Sequence, residues 1–158
     1  MTKIELPPIV KKFIDEKVIC MEIPLLPCLY QNFEKMQEGY RYDPIKQCLL
    51  ITGKPGSWGN SWYVIAQNAL GDPFFVDINE ENYPVYTAKH GMRGWKPIKI
   101  SESIFQFFEI LNKITNMNLT FPCSLSFLSD IIDLDNEFWM EVNEFCQEDE
   151  WIKKIVKR

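Results

Sequence analysis

The sequence predicts an α+β domain, a mainly antiparallel sheet flanked by helices, and three observations carry that expectation. Residues 57 to 77, SWGNSWYVIAQNALGDPFFVD, hold two β-branched and aromatic runs, Trp62-Tyr63-Val64-Ile65 and Phe74-Phe75-Val76, separated by Gly71-Asp72-Pro73. Gly and Asp tolerate the backbone of a tight reversal, and Pro73, lacking an N–H, belongs at the mouth of a strand, so the segment predicts a hairpin. A third run, Pro84-Val85-Tyr86-Thr87-Ala88, follows the turn Asn79-Glu80-Glu81-Asn82. Connections this short favour an antiparallel meander, because a parallel crossover needs about a dozen residues or more. From Ser101 the period changes: Ile104, Phe105, Phe107, Phe108, Leu111 and Ile114 recur at helical spacing, and one face of that helix is expected to cover the sheet.

The remaining elements follow in chain order. Pro7 and Pro8 suit a first helical turn, and Ile9, Val10, Phe13, Ile14 and Val18 then mark an amphipathic helix over residues 7 to 19, with Lys11, Lys12, Asp15 and Glu16 outward. Leu29, Phe33 and Met36 share a face of a second expected helix, residues 27 to 38, which Gly39 ends. The short apolar run at 46 to 53, KQCLLITG, predicts the strand where the sheet begins. Ser103 and Gln106 have capping-box spacing at the start of the helix after Ser101. After Pro122, Leu125, Leu128, Ile131 and Ile132 predict a further helix. Asp133 or Asp135 is placed to cap a last one carrying Phe138, Val142, Phe145, Ile152 and Val156.

The 158 residues suit a single domain spanning 1 to 158, with 46% hydrophobic and 25% charged residues, ordinary proportions for a folded chain. A formal charge of −5 opposes non-specific binding to nucleic acid or an anionic membrane and favours a basic partner. The five cysteines, Cys20, Cys28, Cys48, Cys123 and Cys146, are widely spaced and never form C-x-x-C. They are expected to be reduced, buried and structural. The start MTKIELPPIVKKFIDEK lacks an apolar run of signal-peptide length, and a cytoplasmic location is expected.

Between Lys113 and Lys153 there is no basic residue, while Asp130, Asp133, Asp135, Glu137, Glu141, Glu144, Glu148, Asp149 and Glu150 all fall there. A solvated helix face is normally charged, but usually with interleaved Lys or Arg at i,i+4. Charge of one sign repels itself and steers a partner of the opposite sign. The candidate partner-binding residues are therefore Asp130, Asp133, Asp135, Glu137, Glu141 and Glu144, with Trp139 and Trp58 as candidate anchors, Trp being enriched in binding hot spots. For Trp58, in a glycine-rich loop, the competing reading is burial in the core. Alternation puts Trp62 and Val64 on one side of their strand and Tyr63 and Ile65 on the other.

Catalytic and metal sites are not expected, nor is a cofactor. His90 is the single histidine, flanked by Lys89 and Gly91, and a turn role suits it better than a triad. An enzyme would need it within hydrogen-bond reach of Asp72, Asp77 or a cysteine, and no such pocket is expected. Asp72 and Asp77 stand where a hairpin turn and a strand end want Asp for backbone reasons. Gly53-Lys54 is followed by Pro55 rather than by Ser or Thr opening a helix, which argues against a phosphate-binding loop.

Several of these pieces, in order over roughly residues 20 to 115, resemble one family. They are Leu26-Pro27 leading into a helix ending at Gly39, the hairpin with Gly71-Asp72-Pro73-Phe74-Phe75-Val76-Asp77, Pro84-Val85-Tyr86, His90-Gly91 with Trp95, and the helix Ser103-Ile104-Phe105-Gln106-Phe107-Phe108-Glu109-Ile110-Leu111. Together they are similar to the SUKH superfamily, the Smi1/Knr4-like proteins, while the acidic helices of residues 122 to 158 have no assigned counterpart. The resemblance implies an α+β fold and a non-enzymatic binding domain. Many bacterial members are similar to immunity proteins that neutralise a toxin, often a nuclease, by occlusion. Fungal relatives imply the alternative, a regulatory or scaffold domain in cell-wall signalling.

Overall fold

The computed structural model describes residues 5–16, 23–28 and 32–148. Its element order is α1 (Pro8–Glu16), α2 (Phe33–Met36), β1 (Tyr42–Asp43), β2 (Cys48–Leu49), β3 (Trp62–Gln67), β4 (Pro73–Asp77), β5 (Val85–Thr87), β6 (Ile98–Ser101), α3 (Ile104–Met117), a 3-10 turn (Leu125–Leu128) and α4 (Glu137–Gln147). The fold is α+β. Strands β3 to β6 pair in sequence order as an antiparallel meander, and β1 with β2 form a separate two-stranded ribbon.

Alternation along the strands gives the sheet two apolar faces. Ile65, Ala66, Phe74, Val76, Val85 and Ile100 meet α1, α3, the 3-10 turn and α4 through Phe13, Phe107, Ile110, Leu128, Trp139 and Val142, all in one buried cluster. Val64, Phe75 and Ala88 face the other way, onto Met36, Tyr40 and Trp58. The predicted split of Trp62 and Val64 from Ile65 holds, and a bulge between Val64 and Ala66 puts Ile65 and Ala66 in the same core. Tyr63 instead packs beside Phe33 of α2, with the Arg41 guanidinium 4.1 Å above its ring.

Both outer edges of the sheet are closed by side chains. The Gln37 carboxamide donates to the Val64 carbonyl (2.8 Å) and accepts from the Val64 N–H (3.0 Å), as a neighbouring strand would. Arg41 donates to the carbonyls of Trp62 (2.8 Å) and Asn60 (2.7 Å). On the β6 side the Trp139 indole N–H reaches the carbonyl of Ile100 (2.7 Å), which sits in the register shift between β5 and β6, and Asn136 donates to Lys99 O (2.8 Å). An unpaired edge is a template for adding another strand, and these contacts remove it.

Several expected elements come out differently. The second helix is the single turn α2, with Asn32 as its cap, because Pro27 and Cys28 are not helical. Cys28 spends its N–H on Gln67 O (3.3 Å). The run at 46 to 53 does not begin the main sheet: only Cys48–Leu49 is extended, exposed, and paired with β1. Strand β6 was not predicted. The helix after Pro122 is one 3-10 turn, Leu125–Leu128. The Ser103 cap holds, with Gln106 N–H donating to its hydroxyl (3.0 Å), while the Gln106 side chain reaches Glu102 N–H. The expected contributions of Val18, Cys20, Leu29, Ile152 and Val156 lie outside the described residues. Cys146 is buried as expected, whereas Cys28 and Cys123 are half-buried and Cys48 is exposed, its two-residue strand lying in the ribbon outside the main sheet.

Gln37→Ala strands two backbone groups of a buried strand, each worth about 1 to 3 kcal/mol when left unpaired. Urea denaturation is expected to show a loss of about 2 to 4 kcal/mol for Gln37→Ala and under about 0.5 for the exposed neighbour Lys35→Ala. Equal effects would contradict the edge-closing role.

Candidate functional site

The cap of helix α4 lies one residue beyond Asp135. Asp133 Oδ1 accepts from Asp135 N–H (2.9 Å) in a turn, so neither carboxylate caps the helix. Asn136 does, accepting from Phe138 N–H (3.0 Å) and Trp139 N–H (3.3 Å). The helical period then separates two faces. Phe138, Trp139, Val142 and Cys146 are buried, while Glu137, Met140, Glu141 and Glu144, at i, i+3, i+4 and i+7, share the outward one.

Asp130, Asp133, Asp135, Glu137 and Glu144 are exposed and make no ion pair among the described residues. Glu141 differs. Lys89, from the connection after β5, approaches it to 3.4 Å, an interleaved cation supplied by the fold and invisible in the local sequence. Such an exposed pair contributes only about 0.2 to 1 kcal/mol, so the face stays negative at little cost to stability.

The two tryptophans proposed as anchors are not on this surface. Trp58 is 2% exposed and Trp139 1%. Each indole N–H is spent internally, Trp58 on Trp62 O (3.0 Å) and Trp139 on Ile100 O. Burying such a ring stabilises by about 1.5 to 3 kcal/mol or more, which outweighs any gain from presenting it to solvent. The apolar group that does stand among the carboxylates is Met140, 45% exposed. Sequence spacing alone could have found it, since Met140 lies three residues from Glu137 and four from Glu144.

Against the expectation that no such contact forms, His90 lies within hydrogen-bond reach of Asp72. Its Nδ1 lies 2.6 Å from Asp72 Oδ1, and its backbone N–H donates to the same oxygen (3.0 Å). Strand register explains the meeting: Phe74 pairs with Thr87, so the turns before β4 and after β5 lie side by side. The ring remains 53% exposed, and no Ser, Thr or Cys hydrogen-bonds it among the described residues. The contact fixes the orientation of the ring, and no nucleophile hydrogen-bonds it among the described residues. Asp77 accepts from Asn79 N–H (2.9 Å), a turn contact. Asp72, Lys89, Glu137 and Glu141 line a shared cleft of about 30 Å³, too small for more than a water or two. Thus the fold brings Asp72 to the acidic helix.

No group of three or more potential metal ligands occurs among the described residues, and no helix among them is long and apolar enough to cross a membrane. Comparison with protein-family models, with curated proteins and with solved structures finds no match.

Two tyrosines hold their protons tightly. Burial, aided by the Asp72 charge, pushes Tyr40 up to about 12, and its hydroxyl donates to Gly71 O (2.5 Å). Burial, with the hydrogen bond to the Glu80 carboxylate (2.7 Å), does the same to Tyr86. In the unfolded chain both ionise near 10, so the folded state alone keeps these protons between about 10 and about 12. Their contribution to stability is whole below that window and is lost as pH rises through it. The denaturation midpoint is expected to fall from about pH 10 upward, less steeply in Tyr86→Phe. A midpoint that stays flat through the window contradicts the assignment.

Proposed function

We propose that this chain is a non-enzymatic protein-binding domain of the immunity type, which neutralises a basic toxin-like protein by covering it. The observation that carries the proposal is the outward face of α4, where Glu137, Glu141 and Glu144 surround the exposed Met140. Asp130, Asp133 and Asp135 extend the negative field from the preceding turns. A face that stays negative with a single paired cation, Lys89 on Glu141, raises the encounter rate of a positive partner by about tenfold to a thousandfold at low salt. A central apolar side chain within a polar ring gives the short-range part of an interface.

The resemblance to the SUKH superfamily supports this reading, and the α+β architecture, an antiparallel sheet with helices packed on it, is the one that resemblance implies. With both sheet edges occupied by side chains, addition of a partner strand to either edge is disfavoured. Recognition then falls to helix and loop side chains. No chemistry is assigned to His90 and Asp72, whose contacts hold two turns together.

The test is capture of the tagged protein's partner from its own cells, followed by titration at two salt concentrations. Wild type is expected to retain a basic protein, with affinity falling by about tenfold or more between low and physiological salt. The triple variant Glu137→Gln, Glu141→Gln, Glu144→Gln is expected to lose most of that salt-dependent affinity, mainly through the association rate. An unchanged affinity and salt slope in the variant would overturn the proposal. Recovery of an endogenous cell-wall or signalling protein instead would favour the regulatory alternative.

A further inference from the structure

A second surface of opposite sign lies on the sheet face away from the main helices. The loops at 50 to 58 and 89 to 95 enclose a groove of about 460 Å³, within the range of small-molecule sites. Tyr40 and Trp58 form its aromatic floor, and Trp95 packs on both, with ring centroids 5.6 and 5.3 Å away. Lys54 and Lys89 line it, and no carboxylate does among the described residues. In a chain of net charge −5, that local excess of positive charge is the reverse of the whole. Thr52 and Ser57 add hydroxyl groups to the same wall.

Two features mark the groove as built rather than incidental. Its loops are locked together: Trp95 N–H donates to Gly56 O (2.8 Å), and a Cβ on Gly94 would stand 3.0 Å from Gly56 Cα. Both glycines have positive φ, +83° and +79°, so the close crossing needs residues without side chains. In addition, Trp95 is half-buried and its indole N–H has no hydrogen-bond partner among the described residues, unlike those of Trp58 and Trp139. An indole donor in a partly enclosed apolar site normally has one.

We propose that this groove binds a small organic anion with a flat apolar body, the body lying against Trp95 and the anionic group taken by Lys54 and Lys89. A ring stacked on an aromatic side chain and a charge held by an ammonium group are each effective in a preformed site that loses little freedom on binding. Lys89 is shared with Glu141, whereas Lys54 has no ion pair among the described residues, so Lys54 provides the cleaner test. The site touches the α4 face only through the Lys89–Glu141 pair, and the test through Lys54 leaves the proposed partner face untouched.

The experiment is isothermal titration with indole acetate and with adenosine monophosphate, against indole acetamide, adenosine and inorganic phosphate as controls, with the Trp95 indole N–H followed by NMR. At least one of the two anions is expected to bind below about 5 mM, about tenfold tighter than its neutral counterpart and than phosphate, and to shift the Trp95 signal. Lys54→Ala, on an exposed loop, is expected to weaken it by about tenfold without changing the thermal midpoint. Absence of binding by both anions, equal binding of neutral and charged forms, or unchanged binding in Lys54→Ala would overturn the proposal.

Discussion

The Gln37 carboxamide, bonded to both the N–H and the C=O of Val64, is the contact on which the arrangement of this sheet depends. A four-stranded antiparallel meander has two exposed edges, and an edge strand with apolar side chains on both faces invites pairing with another chain. Here β3 is such a strand, with Tyr63 to Ala66 all buried. Gln37 and Arg41 together supply donors to the outward carbonyls of Val64 and Trp62 and an acceptor for Val64 N–H. Because these groups come from the segment just after α2, they also fix that segment against the sheet. Met36 and Tyr40 thereby reach the second apolar face, and Tyr40 meets Trp58 and Trp95.

The opposite edge is closed by the element that carries the acidic face. Trp139 and Asn136 hold α4 to β6 through the carbonyls of Ile100 and Lys99. Those bonds set the rotation of the helix, so Met140 and Glu144 are exposed while Glu137 and Glu141 border the cleft beside Lys89. The buried tryptophan and the exposed carboxylates are thus two consequences of one docking geometry. Structural demands account for the first, and with Lys89 the one cation paired to this face among the described residues, Glu137 and Glu144 are left available to a partner. On the other face, the crossing of the Gly56 and Gly94 loops sets Trp95 beside Lys54 and Lys89. The molecule therefore separates a negative helix from a positive groove, joined at the Lys89–Glu141 pair.

What was legible in the sequence was local. The hairpin announced itself through Gly71-Asp72-Pro73, and α3 through the spacing from Ile104 to Ile114 with Ser103 before it, because turn chemistry and capping act within a few residues. Strand β6 was hidden because Ile98-Lys99-Ile100-Ser101 is short and becomes a strand by pairing with β5 across a bulge. The helix expected from 27 shrank to one turn because the chain around Cys28 is recruited to the end of β3. The buried Trp139 indole is bonded to a carbonyl of another segment, that of Trp58 to one four residues on, and the His90–Asp72 contact follows from strand register. None of these leaves a periodic trace. Of the acidic candidates Glu141 alone is half-buried, Trp139 is turned inward by the phase of α4, and Trp58 is buried as the core reading of its loop had it.

The most direct measurement of this account is native-state amide hydrogen exchange at Val64. If the Gln37 side chain completes the sheet as a strand would, Val64 N–H exchanges only with global unfolding, at the same free energy as Val76 N–H in the interior strand β4. An exchange rate about a thousandfold faster than that of Val76, as for a fraying edge, would contradict it.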